Sequence, residues 1–176
     1  RLGVNVALGT DWLPTGSMNL LRELRCADYL NSIYYNATFN DAELWSLVTR
    51  NAARATQTAS KIGDLSPGKI ADIAIFRLKS FAHSPHRAVI AANPEDVVLT
   101  LRGGKPLYGD SALVEALGAT GCDALDVCGA SRQVCLQSET GESLATLQGL
   151  NAGSYPLFFC STEPVNEPLC LPQRTS

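Results

Sequence analysis

The hydrophobic pattern changes period several times along this chain, and each change marks an element. Val4 to Leu8 is a short apolar run with a β-branched bias, bounded by Gly3 and by Gly9-Thr10-Asp11. That pattern predicts a strand buried on both faces, as in a parallel sheet or a barrel. Pro14, Thr15, Gly16 and Ser17 then read as a loop. From Met18 to Tyr35, the residues Leu20, Leu21, Leu24, Ala27, Leu30 and Ile33 recur at three- and four-residue steps, which predicts an amphipathic helix. Strand, loop and helix together make one β/α unit. A second helix is expected from Asn40, which can cap it, with Glu43 completing a capping box. Leu44, Leu47, Val48, Ala52 and Ala55 form its apolar stripe, and it ends near Thr56 to Ser60.

Beyond residue 60 the periods shorten. Ile62–Leu65, Ile70–Phe76, Ala88–Ala91, Val97–Leu101 and Pro106–Tyr108 are short apolar pieces separated by Pro- and Gly-containing turns. They predict a small β module, with Gly103-Gly104 as the tight turn of a hairpin. Ala112–Leu117 is long enough for one or two helical turns. The remainder is cysteine-bearing, weakly periodic and broken by Pro156, Pro164, Pro168 and Pro172. The expected organisation is therefore α/β followed by β: residues 1–60, residues 61–110, and a C-terminal extension over 111–176.

Composition narrows the function classes. The 176 residues, 45% hydrophobic and 18% charged, suffice for a globular core. A formal charge of -3 with no basic run argues against a nucleic-acid partner. No apolar stretch approaches the roughly 20 residues that span a bilayer. The chain opens at Arg1 rather than at a methionine or a signal sequence, which suggests a processed or truncated product. Cys26 stands alone, while Cys122, Cys128, Cys135, Cys160 and Cys170 crowd the last third. That density favours disulfides in an exported protein over a zinc cluster, since no CxxC pair occurs and neither histidine is nearby. An odd number in the tail leaves one thiol free unless Cys26 reaches it. Cys160 and Cys170 bracket a Pro-rich loop and are expected to form one bridge. A second joins Cys128 to Cys135 or Cys122 to Cys135.

Asp11 is the candidate catalytic residue. A carboxylate where a buried strand meets a loop can bind a metal or accept a proton from water, although a turn-capping role fits the same position. Trp12 either lines a pocket or packs under the loop. Thr15 and Ser17 could bond a polar substrate group, with Ser17 the expected cap of the next helix. Arg22, Glu23 and Arg25 read as solvated helix charges. His83 and His86 have metal-pair spacing, but Pro85 between them points to a surface loop. Asp72 reads as structural rather than catalytic, and Lys69 as a solvated turn residue.

Four segments, in order, resemble one family. GVNVALGTD at 3–11 resembles the eighth barrel strand of the amidohydrolase superfamily, in the branch with cytosine deaminase, imidazolonepropionase and the triazine hydrolases. TRNAARA at 49–55 resembles the helix that follows. IGDLSPGKIADIAIF at 62–76 is similar to the segment returning the chain to a small β-sandwich, and PEDVVLTLRGGKPLYGD at 94–110 to its closing hairpin.

The resemblance implies the last β/α unit of a (β/α)8 barrel, then part of a composite β-sandwich. It implies hydrolysis of a non-peptide carbon–nitrogen bond in a small molecule by water activated on a divalent metal, zinc or iron. Asp11 then is both a metal contact and the general base. The family's HxH pair and further histidines have no counterpart here, so the chain alone is expected to bind no metal and to be inactive without an N-terminal half or another chain. A stand-alone disulfide-stabilised β module for binding or assembly is the competing expectation.

Overall fold

A computed structural model describes residues 2–11, 16–151, 159–160, 164 and 167–172. The chain divides into two compact units: one formed by described residues of 1–69, 78–91 and 163–176, the other by those of 70–77 and 92–162.

The first unit is helical. Helix α1 (Leu20–Ile33) starts at Asn19, whose side chain accepts the Arg22 amide, so Asn19 and not Ser17 is the cap. Residues up to 19 in the predicted helix remain outside it because the cap itself is extended. Asn31 sits buried on α1 and holds the next turn by exchanging hydrogen bonds with the Phe39 backbone at 2.8 and 2.9 Å. Helix α2 (Asp41–Leu47) begins with the expected capping box of Asn40 and Glu43. The predicted single helix breaks at Val48-Thr49 and resumes as α3 (Arg50–Ala55).

Leu24, Leu44, Leu47 and Ile90 form the core of this unit, with Leu8, Ala27, Phe39, Val48 and Val89 packed around them. Ile90 comes from α4 (Pro85–Ile90), where a strand and a surface loop were expected. The correction has a simple cause. Pro85 occupies the first helical turn, where its missing amide is harmless, and Ser84 caps the helix by accepting the Arg87 amide. Arg87 then donates to Asp28 at 2.7 and 3.0 Å and to Asp41, tying α4 to α1 and α2.

The predicted strand at Val4–Leu8 pairs with no other strand among the described residues. Val4 and Val6 are exposed. A barrel strand needs neighbours on both edges, and this segment instead leans on helices. The Leu8 amide donates to the Leu47 carbonyl at 3.1 Å, and Asn5 and Asn51 each donate a side-chain amide to the other segment's backbone at 3.0 Å. Ile62–Leu65 likewise forms no strand; its start is held by bonds from Lys61 and Ile62 amides to Thr58.

The second unit is an open antiparallel sheet. Strands β1 (Ile73–Phe76), β2 (Val97–Arg102) and β3 (Lys105–Asp110) match predicted pieces. Gly103 and Gly104 both have positive φ, as a two-residue hairpin turn requires. Helix α5 (Ser111–Ala116) follows. The extension then supplies two further strands, β4 (Asp123–Val127) and β5 (Ala130–Val134), giving the order β1-β2-β3-β5-β4. Short helices α6 (Gln137–Thr140) and α7 (Leu144–Asn151) close the segment. Leu99, Val114 and Cys135 form this unit's core. Arg132, 2% exposed, donates to Asp110 and to the Glu95 carbonyl and so fastens β5 to the end of β3 and to the turn before β2.

All six cysteines pair: Cys26–Cys170, Cys122–Cys135 and Cys128–Cys160. Cys160 and Cys170 are therefore not bonded to each other. Each has a partner that the fold, not the sequence spacing, brings near. Cys122–Cys135 is one of the two pairings left open by spacing.

Candidate active site

Asp11 ends the extended segment in a left-handed backbone conformation, φ 52°. Aspartate is one of the few residues with a side chain that enters this region readily. The chain then returns, and Gly16 lies so close to the Thr10 carbonyl that a Cβ there would fall 1.7 Å from its oxygen. Only glycine allows that approach, so Gly16 can sit against the residue that precedes Asp11.

A cavity of about 460 Å³ opens beside this turn. Gly9, Thr10 and Asp11 form one side; Arg22, Glu23, Arg25, Cys26 and Tyr29 of α1 form another. Glu167 to Cys170 supply a third. The α1 residues fall where helical periodicity places successive turns on one face. Glu23 accepts the Ser17 amide at 2.6 Å, which joins the helix to the end of the loop.

Arg22 has a partner that no local reading could supply. Its Nε donates to both Glu167 carboxylate oxygens at 2.7 and 2.9 Å, and the Met18 amide donates to Glu167 at 3.1 Å. The two side chains are only 19% and 8% exposed. The expectation of solvated helix charges therefore fails for Arg22 and Glu23. Pairing across 145 residues leaves no periodic trace, so only a tail carboxylate without a local cation hinted at it.

Trp12 and Thr15 lie outside the described residues. His86 stacks near Trp45, ring centroids 5.1 Å apart, and His83 is exposed. Among the described residues, no three His, Cys, Asp or Glu side chains gather in a way that could hold a metal ion. Asp11 can therefore accept a proton or offer one ligand, but these residues do not by themselves fit a metal centre.

The turn over Asp64–Lys69 is ordered by its own charges. Lys69 Nζ donates to Asp64 at 2.8 Å, and Ser66 does so at 2.5 Å; Lys69 is thus paired rather than simply solvated. The Lys69 and Ser66 bonds hold the Asp64 carboxyl below the ordinary carboxylate value. Gly68 has φ 88° and the Lys69 amide bonds the Ser66 carbonyl, as a Pro-Gly type II turn demands. Asp72 accepts the Gly103 amide at 2.8 Å and pins the β2–β3 turn.

Residues 1–107 match the model of the Amidohydrolase family. The chain is similar to 5-methylthioadenosine/S-adenosylhomocysteine deaminase of Pyrococcus furiosus, 33% identical over 106 residues, covering 58% of this chain and 24% of that protein. It is 36% identical over 119 residues to 8-oxoguanine deaminase of Pseudomonas aeruginosa, covering 63% of this chain and 26% of that protein. A 5'-deoxyadenosine deaminase of Methanothermobacter thermautotrophicus is 29% identical over 119 residues, covering 63% and 27%. The chain thus spans about a quarter of the length of the curated relatives it matches.

Proposed function

The chain belongs to the amidohydrolase family, and from that premise we propose that it is part of a hydrolytic deaminase acting on the ring amine of a purine-like small molecule. The observation that carries this reading is the match to deaminases named for adenosine derivatives and for 8-oxoguanine, compounds that share an amine-bearing purine ring. The reaction cleaves a carbon–nitrogen bond with water and releases ammonia.

Asp11 is assigned the role of general base. It is exposed and borders a cavity, which supports a proton-accepting role in a complete site. Trp12, next in sequence, is assigned to the substrate wall. The same proposal takes residues 1–60 as the last strand and helices of a (β/α)8 barrel, 61–110 as part of a composite β-sandwich and 111–176 as an extension. A divalent metal, zinc or iron, belongs to the complete enzyme. The described residues do not fit it alone, so its remaining ligands would come from another part of the full-length protein or from another chain. Without them this chain is inactive. The three disulfides support an exported protein.

The test uses full-length protein and ammonia release from adenosine derivatives and 8-oxoguanine. Asp11→Asn is expected to lower kcat by roughly 10²–10⁴-fold, the usual worth of a general base, with unchanged thermal unfolding. No release from any amine-bearing purine, or normal turnover in Asp11→Asn, would overturn the assignment.

A further inference from the structure

We infer that the Glu167–Cys170 segment is a redox-latched wall of the Asp11 cavity. Two ties hold it along one face of α1, at successive turns. Glu167 receives the Arg22 Nε and the Met18 amide, and Cys170 is bonded to Cys26. Met18, Arg22 and Cys26 are four residues apart, so the segment runs lengthwise beside the helix and does not cross it. Every residue from Glu167 to Cys170 lines the cavity that Asp11 borders.

The two ties differ in kind. The Glu167 carboxylate is nearly buried, and its three hydrogen bonds join the segment to Met18 and to Arg22 in the first turn of α1. The Cys26–Cys170 bond is covalent but reversible, and both residues are half-buried and line the cavity, so a small dithiol can reach them. Reduction breaks the single S–S bond. Two electrons and two protons pass from the dithiol to the sulfurs, leaving Cys26 and Cys170 as thiols and the dithiol as its own disulfide. The Glu167 tie to Arg22 and Met18 then remains without the covalent one. Oxidised, the wall narrows the space for a substrate; reduced, it yields to larger ones. This consequence for substrate size rests on the deaminase reading above, whereas the latch does not.

The experiment separates the two. Hydrogen–deuterium exchange of the full-length protein is compared between wild type and Cys26→Ser/Cys170→Ser, a change that leaves the other two disulfides intact. Exchange at the Met18, Glu167 and Leu171 amides is expected to rise roughly tenfold or more, with Tyr34, at the far end of α1, unchanged. Equal exchange at those three amides overturns the latch. Should the double variant fail to fold, Glu167→Ala keeps every disulfide, and an unaltered Met18 amide in it overturns the Glu167 tie. Ammonia release from a compact and a bulky aminopurine is then measured on the same proteins. The double variant is expected to shift the kcat/KM ratio toward the bulky one by about tenfold, the lower end of what room for one added methylene is worth. An unchanged ratio in an active enzyme overturns the wall, while absent turnover in wild type overturns the deaminase reading and leaves exchange to decide the latch.

Discussion

Replacing Arg87 by methionine is expected to destabilise the helical unit by about 2 kcal/mol at pH 7, through charges that the substitution leaves behind. Arg87 is shared by Asp28 and Asp41, and all three side chains are a quarter to a third exposed. Solvent at that level screens each pair, so each contributes about 0.5–1 kcal/mol rather than the several of a buried pair. The forked contact to Asp28, at 2.7 and 3.0 Å, places that pair at the upper end. Removing the cation also leaves two aspartates from α1 and α2 without their shared cation, worth about another 0.5–1 kcal/mol. Urea unfolding followed by circular dichroism, with disulfides intact, reads this directly. With a slope of about 2 kcal/mol per molar urea, the midpoint falls by about 1 M. The effect also has a pH signature. Hydrogen bonding from Arg87 holds the Asp41 carboxyl below its ordinary value of 3.8. Its stabilisation is therefore complete above that ordinary value and is lost as pH falls through the lowered one. Wild type and Arg87→Met should converge in stability across that acid window. A midpoint shift under about 0.2 M, or a difference that persists unchanged into acid, would refute this account.

Leu24→Ala removes a side chain with no exposed surface from among Leu44, Leu47 and Ile90, and is expected to destabilise by about 3–4 kcal/mol, whereas Leu20→Ala, on the exposed flank of the same helix, changes urea stability by less than about 1 kcal/mol. Gly63→Ala forces a Cβ to 2.5 Å from that of Ala53 at φ 99°, so a melting scan should show a loss of about 4–8 °C, corresponding to about 2 kcal/mol. Gly68→Ala, at φ 88° with open space around it, should lose only about half of that. Equal effects at the two glycines would show that strain, not the Ala53 contact, dominates.

Much of the fold follows from local pattern because local physics sets it. The apolar steps of α1, the Asn40–Glu43 box of α2 and the Gly103-Gly104 turn each close hydrogen bonds among near neighbours, and each is where its residues predict. The β4–β5 hairpin was missed in a stretch that reads as weakly periodic; the structure places Cys128 and Gly129, both at positive φ, between its two short strands. The helix at Pro85–Ile90 was hidden by treating proline as a breaker when it stands at the first turn.

What the sequence determined by itself was the order of segments, the family they spell and the aspartate that ends the first of them. Only the tertiary structure decided which side chains share space with Asp11. Glu167 and Cys170 meet Arg22 and Cys26 across more than 140 residues. Those contacts arise because burial of Leu24 and its neighbours turns one face of α1 inward and leaves the other open to the tail. Periodicity reports which face of a helix is apolar, but it holds no information on what distant segment covers the opposite one.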